Sequence, residues 1–191
     1  MIKKIFIAIL FFLITSCDQG SQGQSNSSNL SIIKVFSSLT CPHCADFHEK
    51  IFDNLDREYI AVGKIKFRHI AFPLDLAALN AEKILRCKSE QDIDYQLLSE
   101  IYKKQNKWAV GSDIKLINIS IKEIGKKFNL KEDEMNSCLE DKNLEDKILN
   151  ERIEAQKNYK ISSTPTIYIN DKKYEGKRDY KSLKKEIDKV L

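Results

Sequence analysis
The sequence predicts an α/β protein whose sheet is interrupted by a long all-helical insert. Three observations carry that prediction. A β-branched and aromatic run at residues 32–36 leads directly into a helical stripe; residues 74–150 keep a helical pattern almost throughout; strand, turn and helix signals return after Ser163. The 191 residues suit one domain of ordinary size carrying an insertion. A composition that is 42% hydrophobic, with three Pro and six Gly, excludes collagen-like, low-complexity and wholly disordered chains.

In chain order, Ile32, Ile33, Val35 and Phe36 read as a buried strand. Phe47, Ile51, Leu55 and Tyr59 then recur every four residues as one face of a helix, with Pro42 in its first turn, where a missing N–H costs nothing. Residues 65–70 read as a second strand. In the insert, Ile93, Leu97, Leu98 and Ile101 form one stripe, Ile117, Ile121, Ile124 and Phe128 another, and Leu144, Ile148 and Leu149 begin a third. Trp108 and Gly111 punctuate this region, and Asn129 opens a new segment. Ser163-Thr164-Pro165-Thr166 leads into Ile167-Tyr168-Ile169, which turns at Asn170-Asp171 toward residues 172–175. Proline entering a strand donates nothing to the ladder and is often a cis or edge feature, although Thr-Pro-Thr alone also reads as a plain turn. Asp179 is placed to cap a final helix bearing Leu183, Ile187 and Val190.

The N-terminus has its own pattern. Lys3 and Lys4 precede an apolar run at residues 5–14, followed by Thr15, Ser16 and Cys17, the layout of a secretory signal. The run is shorter than the roughly 20 residues that span a bilayer. Ending on Cys, it is similar to a bacterial lipoprotein signal, which implies cleavage before Cys17 and acylation of that residue; an ordinary signal cut a few residues later is the alternative. Either reading exports the chain, to the periplasm or the outer face of the cell membrane. Residues 18–29 contain no apolar side chain and read as a flexible tether spanning about 20 Å. The net charge is +4, and removal of residues 1–16 takes away two Lys and no acid, leaving +2. Charges this balanced and scattered do not point to nucleic acid.

Chemistry concentrates at Cys41-Pro42-His43-Cys44. Cys41 would sit at a helix N-terminus, where orphan N–H groups and the positive end of the dipole favour a thiolate. That setting lowers a thiol pKa and can expose the first cysteine while burying the second. Zinc sites share the spacing, but they need a second pair or nearby His, whereas Cys87 and Cys138 stand isolated; redox chemistry without metal or cofactor is the favoured reading. His43 is close enough to support a Cys41 thiolate by charge or hydrogen bonding, or is simply an exposed turn histidine. His48 and His69 show no partner in the sequence.

Strand, Cys-x-x-Cys helix, strand, Thr-Pro-Thr, hairpin and closing helix together resemble the thioredoxin superfamily. Pro-His between the cysteines and the helical insert narrow the resemblance to DsbA-like exported dithiol oxidases. This implies a thioredoxin fold with an inserted all-helical domain: core at residues 31–73 and 150–191, insert at 74–149. It further implies that Pro165 is cis and beside the disulfide, that the Thr164 backbone pairs with bound substrate, and that Cys41 and Cys44 exchange a disulfide with reduced exported proteins. The partner so implied is a quinone-linked, DsbB-like membrane protein that re-oxidises the pair. One departure stands out: family members often bury an acid on the strand before the motif, and Ile33-Lys34-Val35-Phe36 has none. Isomerase or reductase activity is the nearest alternative. Isomerases of the superfamily generally carry an N-terminal oligomerising region, and the polar dozen residues here favour a monomeric oxidase. A metal-binding lipoprotein is the alternative from another class.

Two cysteines remain, Cys87 and Cys138. Export would place them in an oxidising compartment, and some DsbA relatives have a disulfide in this region, so a structural Cys87–Cys138 bond is expected. Two buried free thiols are the alternative.

Overall fold
A computed structural model describes residues 30–89 and 92–191. The proposed signal, Cys17 and the tether lie outside the described residues. No helix among those described is long and apolar enough to cross a membrane.

A four-stranded sheet in the order β2-β1-β3-β4 forms the centre. Strand β1 (Ser31–Ser37) pairs in parallel with β2 (Ile65–Ala71) and antiparallel with β3 (Thr166–Ile169). Both faces of β1 are covered, which explains its nearly continuous apolar run. A tight turn at Asn170, in the left-handed region at φ 54°, returns the chain into β4. That strand is only Lys172–Lys173, shorter than the hairpin arm read at residues 172–175.

The helix after β1 opens as α1 (Pro42–Phe47) and continues through π-helical turns at His48–Phe52 and Asp56–Ile60, which flank α2 (Asp53–Leu55). A strict four-residue repeat outruns the 3.6-residue α turn. The wider π turns return Phe47, Ile51, Leu55 and Tyr59 to one face, where all four are buried against the sheet with Ile33, Val35, Leu183 and Ile187. The closing helix α9 (Tyr180–Ile187) is capped by Asp179, whose carboxylate accepts from Ser182 N. It ends at Ile187, so Val190 is exposed instead of extending the buried stripe.

Between β2 and β3 run α3 (Leu76–Leu85), α4 (Tyr95–Lys103), α5 (Gln105–Trp108), α6 (Ile114–Lys127), α7 (Glu132–Glu140) and α8 (Lys142–Tyr159). Asp75, Asp94, Asp113 and Asp141 cap α3, α4, α6 and α8 by accepting backbone N–H bonds, so each start is chemically marked. Ile93 precedes its cap and lies outside α4. Helix α8 runs unbroken through residue 150, and its Ala155 joins Phe36, Phe72 and Tyr168 on the second face of the sheet. Trp108, Leu98, Ile101, Ile121 and Met135 fill the helical core, and Cys41, Cys44 and Leu39 belong to the same apolar cluster. The insert therefore packs directly on the thiol motif. Cys87, just beyond α3, is bonded to Cys138 in α7, with Cα atoms 5.7 Å apart. The bond ties the end of α3 to α7 across a sequence separation of 51 residues between the cysteines.

Candidate active site
Cys41 stands at the N-cap of α1 in extended backbone (φ −78°, ψ 120°), with Pro42 in the first turn. The loop before it is closed by Cys41 N donating to Ser38 O at 3.1 Å. From the insert, Gln105 Nε2 donates to Leu39 O at 2.8 Å and Cys41 O at 3.1 Å, pinning the motif from outside the sheet. Cys41 is 7% exposed and Cys44 1%, and both thiols are reduced.

The two sulfurs are driven apart in acidity. Cys41 is lowered from 9.0 to about 5, first by a hydrogen bond from the Cys44 thiol, with help from Thr164 and the backbone N–H groups of Cys44 and His43, and against the cost of burial. Cys44 is pushed far up, chiefly by burial and then by the Cys41 thiolate beside it. At neutral pH the pair holds one negative charge, on Cys41, and one proton, on Cys44.

Across the motif the Thr164–Pro165 peptide is cis. The antiparallel register Val35↔Ile167 and Phe36↔Thr166 brings it there from more than a hundred residues away. Thr164 O lies 3.4 Å from Cys41 Sγ, within reach of its S–H when the thiol is protonated. The Thr164 hydroxyl is buried and has no other partner, and its interactions favour the thiolate at both cysteines. His43 has an exposed side chain, and it is its backbone N–H that supports the Cys41 thiolate. Cys41, Pro42, His43, Cys44, Thr164 and Pro165 thus gather in one place, with Pro42 and His43 exposed and the other four buried. Cys87 and Cys138 lie apart from it, in the insert.

Behind Cys44 the structure holds polar groups that sequence reading missed. His69, on β2, meets Glu82, on α3, with 2.6 Å between Nε2 and Oε1, both fully buried. Burial alone would raise Glu82, yet the charges and hydrogen bonds of His69 and Arg86 hold it below the usual carboxylate range. Arg86 pairs in turn with Glu151 through two bonds of 2.7 and 2.9 Å, and Glu151 accepts from Ala71 N. Tyr102, on α4, stacks on His48 at 4.5 Å between ring centres. Its hydroxyl leans toward Ser37 without closing a hydrogen bond of normal geometry. Burial, with the negative charges of Glu82 and of the thiol pair, which the pair carries on Cys41, keeps that hydroxyl protonated. Burial, reinforced by His69, likewise keeps His48 neutral. A fully buried carboxylate therefore exists on the insert instead of on β1, and Tyr102 is the group that feels both it and the thiols. The only hint in the sequence was the helical spacing that sets Glu82 four residues before Arg86, as an exposed pair would also be. Among the described residues no group of three or more His, Cys, Asp or Glu is arranged to hold a metal ion.

A family model described as thioredoxin matches residues 18–189. Among curated proteins, a Rickettsia bellii chain named for protein-disulfide oxidoreductase activity is 26% identical over 91% of this chain and 66% of its own length. A similarly named Rickettsia prowazekii chain is 30% identical over 87% of this chain and 60% of its own. This chain thus spans about two-thirds or less of these relatives. The disulfide bond formation protein D of Bacillus subtilis is 28% identical over 82% of this chain and 70% of its own. Among solved structures, alpha-DsbA1 of Wolbachia pipientis superposes with a TM-score of 0.74 at 29% identity, covering 84% of this chain and 85% of that one. With its sheet order, its helical insert between β2 and β3, and a Cys-Pro-His-Cys helix facing a cis proline, the chain belongs to the thioredoxin family and is DsbA-like within it.

Proposed function
We propose that this protein is an exported dithiol oxidase that donates a Cys41–Cys44 disulfide to reduced substrate proteins. The observation that carries the reading is the split between the two thiols, with Cys41 at about 5 and Cys44 far above its ordinary value. A stabilised Cys41 thiolate stabilises the reduced pair, which makes the disulfide the more oxidising partner. In the oxidised protein a substrate thiolate attacks Cys41 Sγ, the Cys41–Cys44 bond breaks, and Cys44 departs as a thiolate that takes up a proton. A second substrate thiolate then attacks the substrate sulfur of the mixed disulfide and releases Cys41 as a thiolate. The substrate leaves with a new disulfide, and two electrons stay on the dithiol. Thr164 and Pro165 line the side from which substrate approaches, and His43 borders the exposed edge of Cys41.

Regeneration requires an external electron acceptor, for which a quinone-linked membrane partner is the reading that the resemblance supports. Acylation at Cys17 and a tether over residues 18–29 would hold the domain at a membrane surface. The test is oxidative refolding: the oxidised full chain should accelerate disulfide formation in a reduced, unfolded substrate, and Cys41→Ser should abolish it. Equal activity in Cys41→Ser overturns the reading. Greater acceleration of scrambled than of fully reduced substrate would assign an isomerase instead.

A further inference from the structure
A small cleft of about 150 Å³ opens between α1 and the Pro165 loop, lined by His43 of the thiol motif and by Pro165, whose neighbour Thr164 has its carbonyl 3.4 Å from Cys41 Sγ. Phe47 and Pro165 contribute its apolar lining, and His43, Asp46, Lys50 and Arg178 its polar rim. The charges on this rim do not cancel. Asp46 is already committed to Lys50, at 2.5 Å. Arg178 has no carboxylate within ion-pairing distance among the described residues. The acid beside it, Asp179, is occupied in capping α9, accepting from Ser182 N at 2.8 Å and Ser182 Oγ at 2.9 Å.

The loop that carries Arg178 is held on both sides. Tyr174 Oη donates to Lys177 O at 2.7 Å, and the Tyr174 ring lies so close over Gly176 that a Cβ there would stand 2.5 Å from it. On the other side the Asp179 cap fixes the start of α9. A guanidinium with no internal partner is thus positioned at the rim of an apolar notch that shares His43 and Pro165 with the thiol site. The space suits one side chain whose methylenes meet the lining and whose head group is a carboxylate, which the planar guanidinium can bind in bidentate fashion.

We propose that this cleft is a substrate subsite for an Asp or Glu side chain flanking the reacting cysteine, and that Arg178 is the residue that selects it. The proposal rests on the thiol–disulfide reading above and names a substrate class for it: exported segments in which a cysteine has an acidic neighbour. Because the rim is open to solvent, the selection is modest and sensitive to salt.

The experiment measures oxidation of two-cysteine peptides by the oxidised full chain, with Glu, Gln or Lys beside the first cysteine. The Glu peptide should exceed the Lys peptide in kcat/KM by about threefold to tenfold at low ionic strength, a preference that shrinks as salt is added. Arg178→Gln should remove most of the preference, and Arg178→Glu should invert it. A ratio taken within one protein is unaffected by a change in the fraction folded. Equal rates for the three peptides, or a preference for Lys, would overturn the subsite while leaving the oxidoreductase reading intact. Failure to oxidise any peptide would overturn that reading, and the subsite with it.

Discussion

Removing the Cys44 thiol should raise the Cys41 pKa, because the hydrogen bond from Cys44 is the largest cause of its depression. A hydrogen bond to a charged acceptor contributes about 1.5–3 kcal/mol, so Cys44→Ala should move the Cys41 midpoint up by about one to two units. In the intact reduced protein, a midpoint of about 5 against an ordinary 9.0 leaves Cys41 almost wholly thiolate at pH 7, where an ordinary thiol is about 1% ionised. The reduced form is then favoured by about a hundredfold at that pH, equivalent to about 60 mV for a two-electron couple. The advantage has a definite pH window. The folded value lies below the unfolded one, so Cys41 contributes nothing well below pH 5, contributes increasingly between 5 and 9, and contributes fully above 9. Reduction should take up two protons below that midpoint and one above it, so the potential should fall by about 60 mV per pH unit in acid and about 30 mV per unit thereafter. Thiolate absorbance near 240 nm and the pH dependence of alkylation read the midpoint directly, and equilibration with glutathione reads the potential. A wild-type midpoint near that of free cysteine, or an unchanged midpoint in Cys44→Ala, would refute the argument.

Further predictions concern what holds the site in place. Glu82→Gln leaves His69 without its buried partner and should cost about 3–5 kcal/mol in urea unfolding; because the Glu82 carboxyl is held below its usual range, its contribution is present at neutral pH and fades in acid, so the stability of the Gln variant should depend less on pH there. Gln105→Ala removes the donor shared by Leu39 O and Cys41 O and should cost about 1–3 kcal/mol, with faster amide exchange confined first to the loop before α1. Replacing Cys87 and Cys138 together by Ala should lower stability by about 4 kcal/mol, the loop-closure value for a separation of 51 residues, as measured by chemical denaturation.

How much of this could be read in advance depended on the range of the interaction. Cys41-Pro42-His43-Cys44 was legible because a helix start is written in adjacent residues: a proline in the first turn, an apolar stripe behind it and a strand in front. The Asp179 cap and the stripes at Leu97, Leu98, Ile101 and at Ile117, Ile121, Ile124 are local in the same sense. Element ends were less legible. Val190 continued a pattern beyond the point where the helix stops, and residues 174 and 175 looked like strand although β4 ends at Lys173, with one further backbone bond from Tyr174 N to Ile167 O. The π turns could not be foreseen, since a four-residue repeat is compatible with an ordinary helix until packing selects the wider one.

The sequence by itself determined which segments are strand or helix, which face of each is apolar, and where a reactive thiol meets a helix N-terminus. These follow from periodicity and capping, which operate over a few residues. Tertiary structure alone decided who meets whom. The antiparallel pairing of β1 with β3 brought Thr164 to Cys41, the docking of α3 on β2 joined Glu82 to His69, and the α4–α5 corner delivered Gln105 to the Cys41 carbonyl. It also decided that Arg178 reaches the edge of the thiol motif with its charge unspent, while Lys50 does not. The physical reason is that a polar side chain carries no mark of its distant partner: a glutamate four residues before an arginine looks the same whether it faces water or closes a buried pair, and only burial, set by the whole chain, separates the two.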